Sequence, residues 1–263
     1  MTVRKIVEQV FDRLGYRIVP HWRVFSDPQE RYMRRLFDLL KPDLIVDVGA
    51  NVGQYGTFLR QRCDYTEHIV SFEPIPELAD QCRRAAAGDR FWRVERTALG
   101  ARSGMATFNV MASDTFSSFL APDAHQPDSF ESSNRVARTI TVQVATLDEI
   151  LGGLLTQTRA TRAFLKLDTQ GFDMQVIAGA RAVIDHFVGI QTEIEVTRLY
   201  EGAPSMDRTI ETLRELDFEP SAVFPTNDHF PLLVDMDSFF VRRATSGASA
   251  VPFPPGKGSA EKH

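Results

Sequence analysis

The chain has 263 residues, 43% of them apolar, and carries a formal net charge of −5. That size suits one α/β domain with terminal additions and a sizeable core, and the acidic balance gives no electrostatic footprint for nucleic acid. Two cysteines, Cys63 and Cys82, cannot form a disulfide framework or a zinc site by themselves, and no run reaches the roughly 18 apolar residues of a membrane span.

The first twenty residues interrupt their apolar positions with charges and lack the apolar stretch of a signal peptide, so a cytoplasmic protein is expected. Ile6, Val7, Val10, Phe11 and Leu14 recur at helical spacing before Gly15, and a second amphipathic helix is predicted over 28–40. An alternating pattern follows. LIVDVG (44–49) reads as a buried strand, 53–62 as a helix, HIVSFEP (68–74) as a strand and 76–87 as a helix. FWRVERTAL (91–99) reads as a third strand. GMATFNVM (104–111) and RTITVQVATL (138–147) alternate like paired strands around a polar connection, and Thr146 to Glu149 fits a capping box. Strands at 163–168 and 188–196 alternate with helices at 172–186 and 205–216; 218–225 and 238–243 close the pattern, and the tail has a disordered composition. Together these elements predict a doubly wound, mostly parallel sheet, with ligands beyond the carboxyl ends of its strands.

DVGANVGQYG, residues 47–56, lies at such a strand end. A phosphate-cradling P-loop needs a Gly-Lys-Ser/Thr that is missing here. A dinucleotide fingerprint needs G-x-G-x-x-G, and Asn51 stands where its second glycine belongs. S-adenosylmethionine has no phosphate to crowd. Asp47 would order the turn and attract the cationic methionine end, Gly49 and Gly53 permit close backbone approach, and Glu73, 20 positions past Gly53, can accept from both ribose hydroxyls.

Seven blocks occur in order: DVGANVGQYG, IVSFEPIPEL, TALGARSGMATFNV, FLKLDTQGFD, VIAGA, GIQTEIEVTRLYEG and FFVRR. This set resembles the FkbM family of S-adenosylmethionine-dependent methyltransferases across residues 40–243. The resemblance implies a Rossmann-like class I methyltransferase fold, seven-stranded with an antiparallel last strand, preceded by N-terminal helices and carrying a β-hairpin-like insertion. Taken with the patterns outside it, the expected organisation is a helical region at 1–41, a methyltransferase domain at 42–243 with the polar insertion 112–137 as an acceptor lid, and a disordered tail at 244–263. The resemblance also implies O-methylation of a hydroxyl on a sugar, a glycolipid or a polyketide-type product. By position, Asp47, Gly49, Ala50, Asn51 and Gly53 match the methionine-binding turn, Glu73 and Pro74 the ribose site, and Thr97 and Ala98 the adenine site. Asp168 falls near sulfonium and acceptor. Where many relatives carry DVEG or DVQG, this chain has Asp168-Thr169-Gln170-Gly171.

Deprotonating a sugar hydroxyl calls for a base within hydrogen-bond reach. Asp168 and Glu193, at the ends of neighbouring strands, are the expected pair, suited to a raised pKa or to a divalent cation. His229 is a further candidate base. Lys166 is expected to pair with a carboxylate. Within the insertion, Phe116, Ser117, Ser118 and His125 are expected to meet a small-molecule or glycan acceptor, aromatic faces stacking on sugar rings. Oligomeric state is left open. Two other readings stand beside this one: a cofactor-binding scaffold without turnover, and an NAD(P)-dependent oxidoreductase, although no tyrosine has a lysine four positions on.

Overall fold

The computed structural model describes residues 26–226 and 231–243, with positions 11, 14–16, 19–20 and 24. Most of the helix expected at 6–14, His229 and the tail 244–263 lie outside the described residues.

Helix α1 (Ser26–Leu40) buries Met33, Leu36, Phe37 and Leu40, the i, i+3, i+4, i+7 stripe of an amphipathic helix. Next come β1 (Leu44–Val48), α2 (Gln54–Arg62), β2 (His68–Phe72), α3 (Pro76–Ala85) and β3 (Trp92–Glu95). After an inserted region follow α5 (Leu147–Thr158), β7 (Ala163–Leu167), α6 (Asp173–Ala178), β8 (Phe187–Glu195), α7 (Met206–Glu215), β9 (Phe218–Pro225) and β10 (Asp235–Arg242). The sheet runs β3-β2-β1-β7-β8-β10-β9, with β10 antiparallel to both its neighbours. This is the doubly wound sheet with a reversed last strand that the sequence led us to expect, and the order reverses between β1 and β7.

Side-chain alternation along β1 divides the core in two. Leu44, Val46 and Val48 pack with Leu151 and Leu154 of α5 and Val176 and Ile177 of α6. Ile45 packs on the other face with Met33 and Phe37 of α1 and Leu59 of α2. Phe37 meets the Phe164 ring edge-on at 5.1 Å, joining α1 to β7.

Two expected elements differ. The single strand at 91–99 is two: β3 stays in the main sheet, and after Arg96 and Thr97 the chain crosses to a second sheet as β4 (Ala98–Leu99). The helix expected at 172–186 is only α6 followed by turns and a 3-10 turn at Ile184–His186, because the chain bends at Gly179, whose carbonyl accepts from Asp148 at 2.8 Å.

The second sheet holds β4, β5 (Gly104–Met111) and β6 (Val136–Ala145), with β5 and β6 antiparallel as the hairpin pattern suggested. Its apolar face, with Phe108, Val142 and Val144, covers Ile75 and Leu78 at the start of α3. The connection between β5 and β6 contains a 3-10 turn (Asp114–Phe116) and α4 (Asp128–Glu131). It is pinned down: Ser118 and Asn134 are fully buried, and Asn134 donates to the Leu199 carbonyl at 3.0 Å. The capping box opens α5, with Glu149 N–H donating to Thr146 Oγ1 and Thr146 N–H to Glu149 Oε2, both at 3.2 Å. Among the described residues no helix is long and apolar enough to cross a membrane.

Two glycine substitutions should move stability in opposite directions. A Cβ at Gly56 would collide with the Trp92 ring, whereas one at Gly152, within α5, meets open space. Thermal denaturation should place Gly56→Ala about 1–3 kcal/mol below the parent and Gly152→Ala about 0.5–1 kcal/mol above it.

Candidate active site

The site is built on the ends of β1 and β7, the two strands at the reversal. Asp47 and Lys166 are in-register partners across that pair. Lys166 Nζ, nearly all of its side chain buried, lies 3.2 Å from Asp47 Oδ1 and 3.5 Å from Asp168 Oδ2, and donates to the Gly49 carbonyl at 3.0 Å. Burial alone would push the ammonium pKa down; the Asp47 and Asp168 carboxylates outweigh it and hold the group above its ordinary value. Asp47 also accepts from Ser71 Oγ at 2.7 Å, and Ser71 accepts from Trp92 Nε1 at 3.0 Å.

Above this base the turn is left-handed at Gly49 (φ 76°) and Asn51 (φ 47°). A Cβ at Gly49 would strike the Asp168 backbone oxygen, so the approach of β1 to β7 requires glycine there. Asn51 N–H donates to Glu73 Oε2 at 2.9 Å and Ile75 N–H to Glu73 Oε1 at 2.8 Å. Each carboxylate oxygen therefore holds one backbone donor and keeps lone pairs for another. Burial pushes the Glu73 carboxyl up to about 7, against those two donors and the charge of Lys166.

Glu73 lines a cavity running from the end of β2 to the end of β7 and to Glu193 of β8. Phe72, Ile75, Leu78, Leu99, Phe108 and Phe119 form its apolar wall. Gly49, Asn51, Gln54, Asp114, Thr115 and Ser117 lie around it, with Asp168, Thr169, Gln170 and Glu193 at the far side. No lysine, arginine or histidine is among the described residues that line it. Lys166 is spent beneath the turn.

At the far side Gln170 Nε2 donates to Asp168 Oδ1 at 2.9 Å and to Glu193 Oε2 at 2.8 Å. Asp173, fully enclosed, accepts from Thr169 and Thr192, and its carboxyl pKa is raised by burial. Desolvation in the cleft pushes the Glu193 carboxyl well above its ordinary value, reinforced by Asp168, Asp235, Asp237 and Asp173. Among the described residues no group of three or more His, Cys, Asp and Glu is placed to hold a metal ion.

Of the residues expected at the site, Gly49, Asn51, Glu73, Pro74, Ala98, Ser117, Asp168 and Glu193 line the cavity. Others do not. Asp47 is fully buried below it, where its charge meets Lys166 instead of a ligand. Ala50 belongs to the core, and Gly53 faces Cys82 and Trp92. Thr97 is absent from the lining because the chain crosses between sheets there. Phe116 turns its ring to Phe130, Ser118 is buried and donates to the Gln170 carbonyl at 2.7 Å, and the His125 side chain is 95% exposed beside Asp123. Glu193 accepts from Gln170. Gln170, Asp114, Thr115 and the wall residues Phe72, Ile75, Leu78 and Phe108 were outside the expected set. Only their places at the ends of strands or in the insertion hint at them.

The family profile described as the methyltransferase FkbM domain matches residues 47–220. The 2-O-methyltransferase NoeI of Sinorhizobium fredii (strain NBRC 101917 / NGR234) is 29% identical over 202 residues, 73% of this chain and 79% of that protein. Among solved structures, magnesium protoporphyrin IX methyltransferase from Synechocystis PCC 6803 with bound SAM aligns at a TM-score of 0.46 and 12% identity, over 92% of this chain and 98% of that one. The Burkholderia thailandensis 1,6-didemethyltoxoflavin-N1-methyltransferase aligns at 0.41 and 12%, over 91% and 87%.

The ion pair under the turn can be tested on the free protein. Lys166→Met leaves the Asp47 carboxylate buried without its cation, and urea denaturation should report a loss of about 3–5 kcal/mol. An unchanged midpoint would mean that Asp47 is held by Ser71 alone.

Proposed function

The chain belongs to the FkbM methyltransferase family of S-adenosylmethionine-dependent enzymes, and we propose that it methylates a hydroxyl of a sugar, glycolipid or polyketide-type natural product. One observation carries this reading. A single cavity joins the doubly anchored carboxylate of Glu73 to the strand-end pair Asp168 and Glu193, with no cationic side chain among the described residues of its lining.

These residues fit S-adenosylmethionine. Glu73 has acceptor capacity left for two ribose hydroxyls, and Phe72, Ile75 and Leu78 offer an apolar surface for the adenine. The acids at the far side favour the sulfonium charge. A phosphate-bearing dinucleotide would meet Glu73 and Asp168 with no cation to balance it. When bound, the cofactor supplies an electrophilic methyl group.

The acceptor's hydroxyl must give up its proton as its oxygen is methylated. Asp168, with 40% of its side chain exposed, is placed to receive that proton, and Glu193 lies beside it through Gln170. A base so placed contributes about 10²–10⁴-fold. The relative NoeI is named a 2-O-methyltransferase, which supports oxygen as the methylated atom. Asp114, Asp168 and Glu193 favour an uncharged acceptor over a carboxylated or phosphorylated one.

Isothermal titration with S-adenosylhomocysteine tests the cofactor assignment. Affinity should rise with pH up to a plateau above about 7, because the ligand hydroxyls need Glu73 ionised and the free protein holds its proton until then. Glu73→Gln should flatten that profile and weaken binding about 10- to 150-fold at pH 8. Absence of binding by the parent protein would overturn the assignment. Radiolabelled methyl transfer to a panel of neutral, anionic and amino glycosides tests the rest. Transfer should disfavour anionic glycosides relative to neutral and amino ones, and Asp168→Asn should lose about 10²–10⁴-fold in turnover with S-adenosylhomocysteine affinity little changed. Normal turnover by that variant would remove Asp168 from the chemistry.

A further inference from the structure

The turn after β7 places Gln170 (φ 55°) and Gly171 (φ 81°) in the left-handed region one after the other. Glycine adopts that conformation freely; a glutamine is held in it at a cost. Its side chain makes three hydrogen bonds. Nε2 lies within bonding distance of Asp168 Oδ1 (2.9 Å) and Glu193 Oε2 (2.8 Å), and one amide nitrogen carries two N–H groups, one for each. Oε1 stands 2.9 Å from the hydroxyl of Tyr200. That hydroxyl is also 2.7 Å from the Phe116 carbonyl, in the inserted segment. The main chain is tied to the same segment, since Ser118 Oγ donates to the Gln170 carbonyl at 2.7 Å.

We infer that Gln170 is a positioning residue for methyl transfer: its carboxamide spaces Asp168 and Glu193 to receive the acceptor's proton and, through Tyr200, links that spacing to the seating of the inserted segment. The inference rests on the reading of this cavity as the methyl-transfer site. In this chain the amide supplies a donor to each acid. Two carboxylates on neighbouring strands repel, and N–H donors on both keep them close in the ionised form. A glutamate here would add a third negative charge and no donor. The Tyr200 hydroxyl has one proton and two acceptors within reach, so it bonds either the clamp or the Phe116 carbonyl. The seating of the Phe116 carbonyl against Tyr200 decides which.

The groups that face Glu193 are Asp168 from the end of β7, Asp173 from α6, Asp235 and Asp237 from β10, Glu195 along its own strand and Tyr200 from the loop after it. An N–H donated to Glu193 favours its ionised form, so loss of the clamp must raise its titration midpoint.

The test uses the full chain labelled with ¹³C at glutamate side-chain carboxyls, with the Glu193 signal assigned by Glu193→Gln. Gln170→Leu should move the Glu193 midpoint up by at least one pH unit, a tenfold change in proton affinity. Tyr200→Phe, which leaves the buried ring in place, should move it in the same direction by less. If the leucine variant does not fold, Gln170→Asn tolerates the left-handed backbone but is one methylene too short to reach both acids, and should shift it likewise. A midpoint that stays within about 0.3 units in these variants overturns the inference. S-adenosylhomocysteine titration runs alongside. Binding by the parent and by Tyr200→Phe within twofold, with the midpoint shifted, supports both readings. Absence of binding by the parent, with the shift present, removes the methyl-transfer reading and leaves only the carboxylate clamp.

Discussion

Lys166 brings one positive charge into the interior between the two strands where the sheet reverses, and most of the site's geometry follows from how that charge is compensated. Its register partner Asp47 neutralises it from β1, Asp168 from the end of its own strand, and the carbonyl of Gly49 accepts a hydrogen bond from it. An ammonium buried without those partners would cost several kcal/mol. The compensation binds the first half of the fold to the second at the topological switch point. It also turns the Gly49 carbonyl inward, beneath the turn, and Asn51 N–H is engaged by Glu73. The glycine turn is thus supported from below by charge and from the side by a carboxylate.

That arrangement leaves the cavity itself acidic. Glu73, Asp114, Asp168 and Glu193 line it, and the nearest lysine is consumed underneath. Carboxylates held this way resist ionisation, as the raised positions of Glu73 and Glu193 indicate. Such a site favours a cationic ligand and disfavours a phosphate. Carboxyls with different surroundings can also play different roles in one cavity.

The insertion between β5 and β6 is a wall with its own small core. Phe130, Leu199, Tyr200 and Val234 pack beneath it, and Ser118 and Asn134 secure its chain by buried hydrogen bonds. Its Asp114, Thr115, Ser117 and Phe119 face the cavity opposite the strand-end acids. On the proposed reading, this wall is where acceptors are discriminated, opposite the strand ends of the βα frame.

What the sequence determined by itself was set by local pattern. The alternation of apolar strands and amphipathic helices, the glycine turn at the end of β1, and the acids Glu73, Asp168 and Glu193 at three other strand ends all follow from spacing along a few residues, and each acid lies on the cavity. Tertiary structure decided the rest. Asp47 reads like a ligand-facing acid until Lys166, on a strand more than a hundred residues later, claims it. Ser118 and Phe116 read like acceptor contacts until buried partners turn them away, and His125 points to solvent beside Asp123. Gln170 falls where relatives carry either glutamate or glutamine, and its role depends on Glu193 and Tyr200, 23 and 30 residues further on. Periodicity is a property of neighbours in the chain and is legible there. Burial and hydrogen-bond pairing belong to neighbours in space, and only the folded chain brings those together.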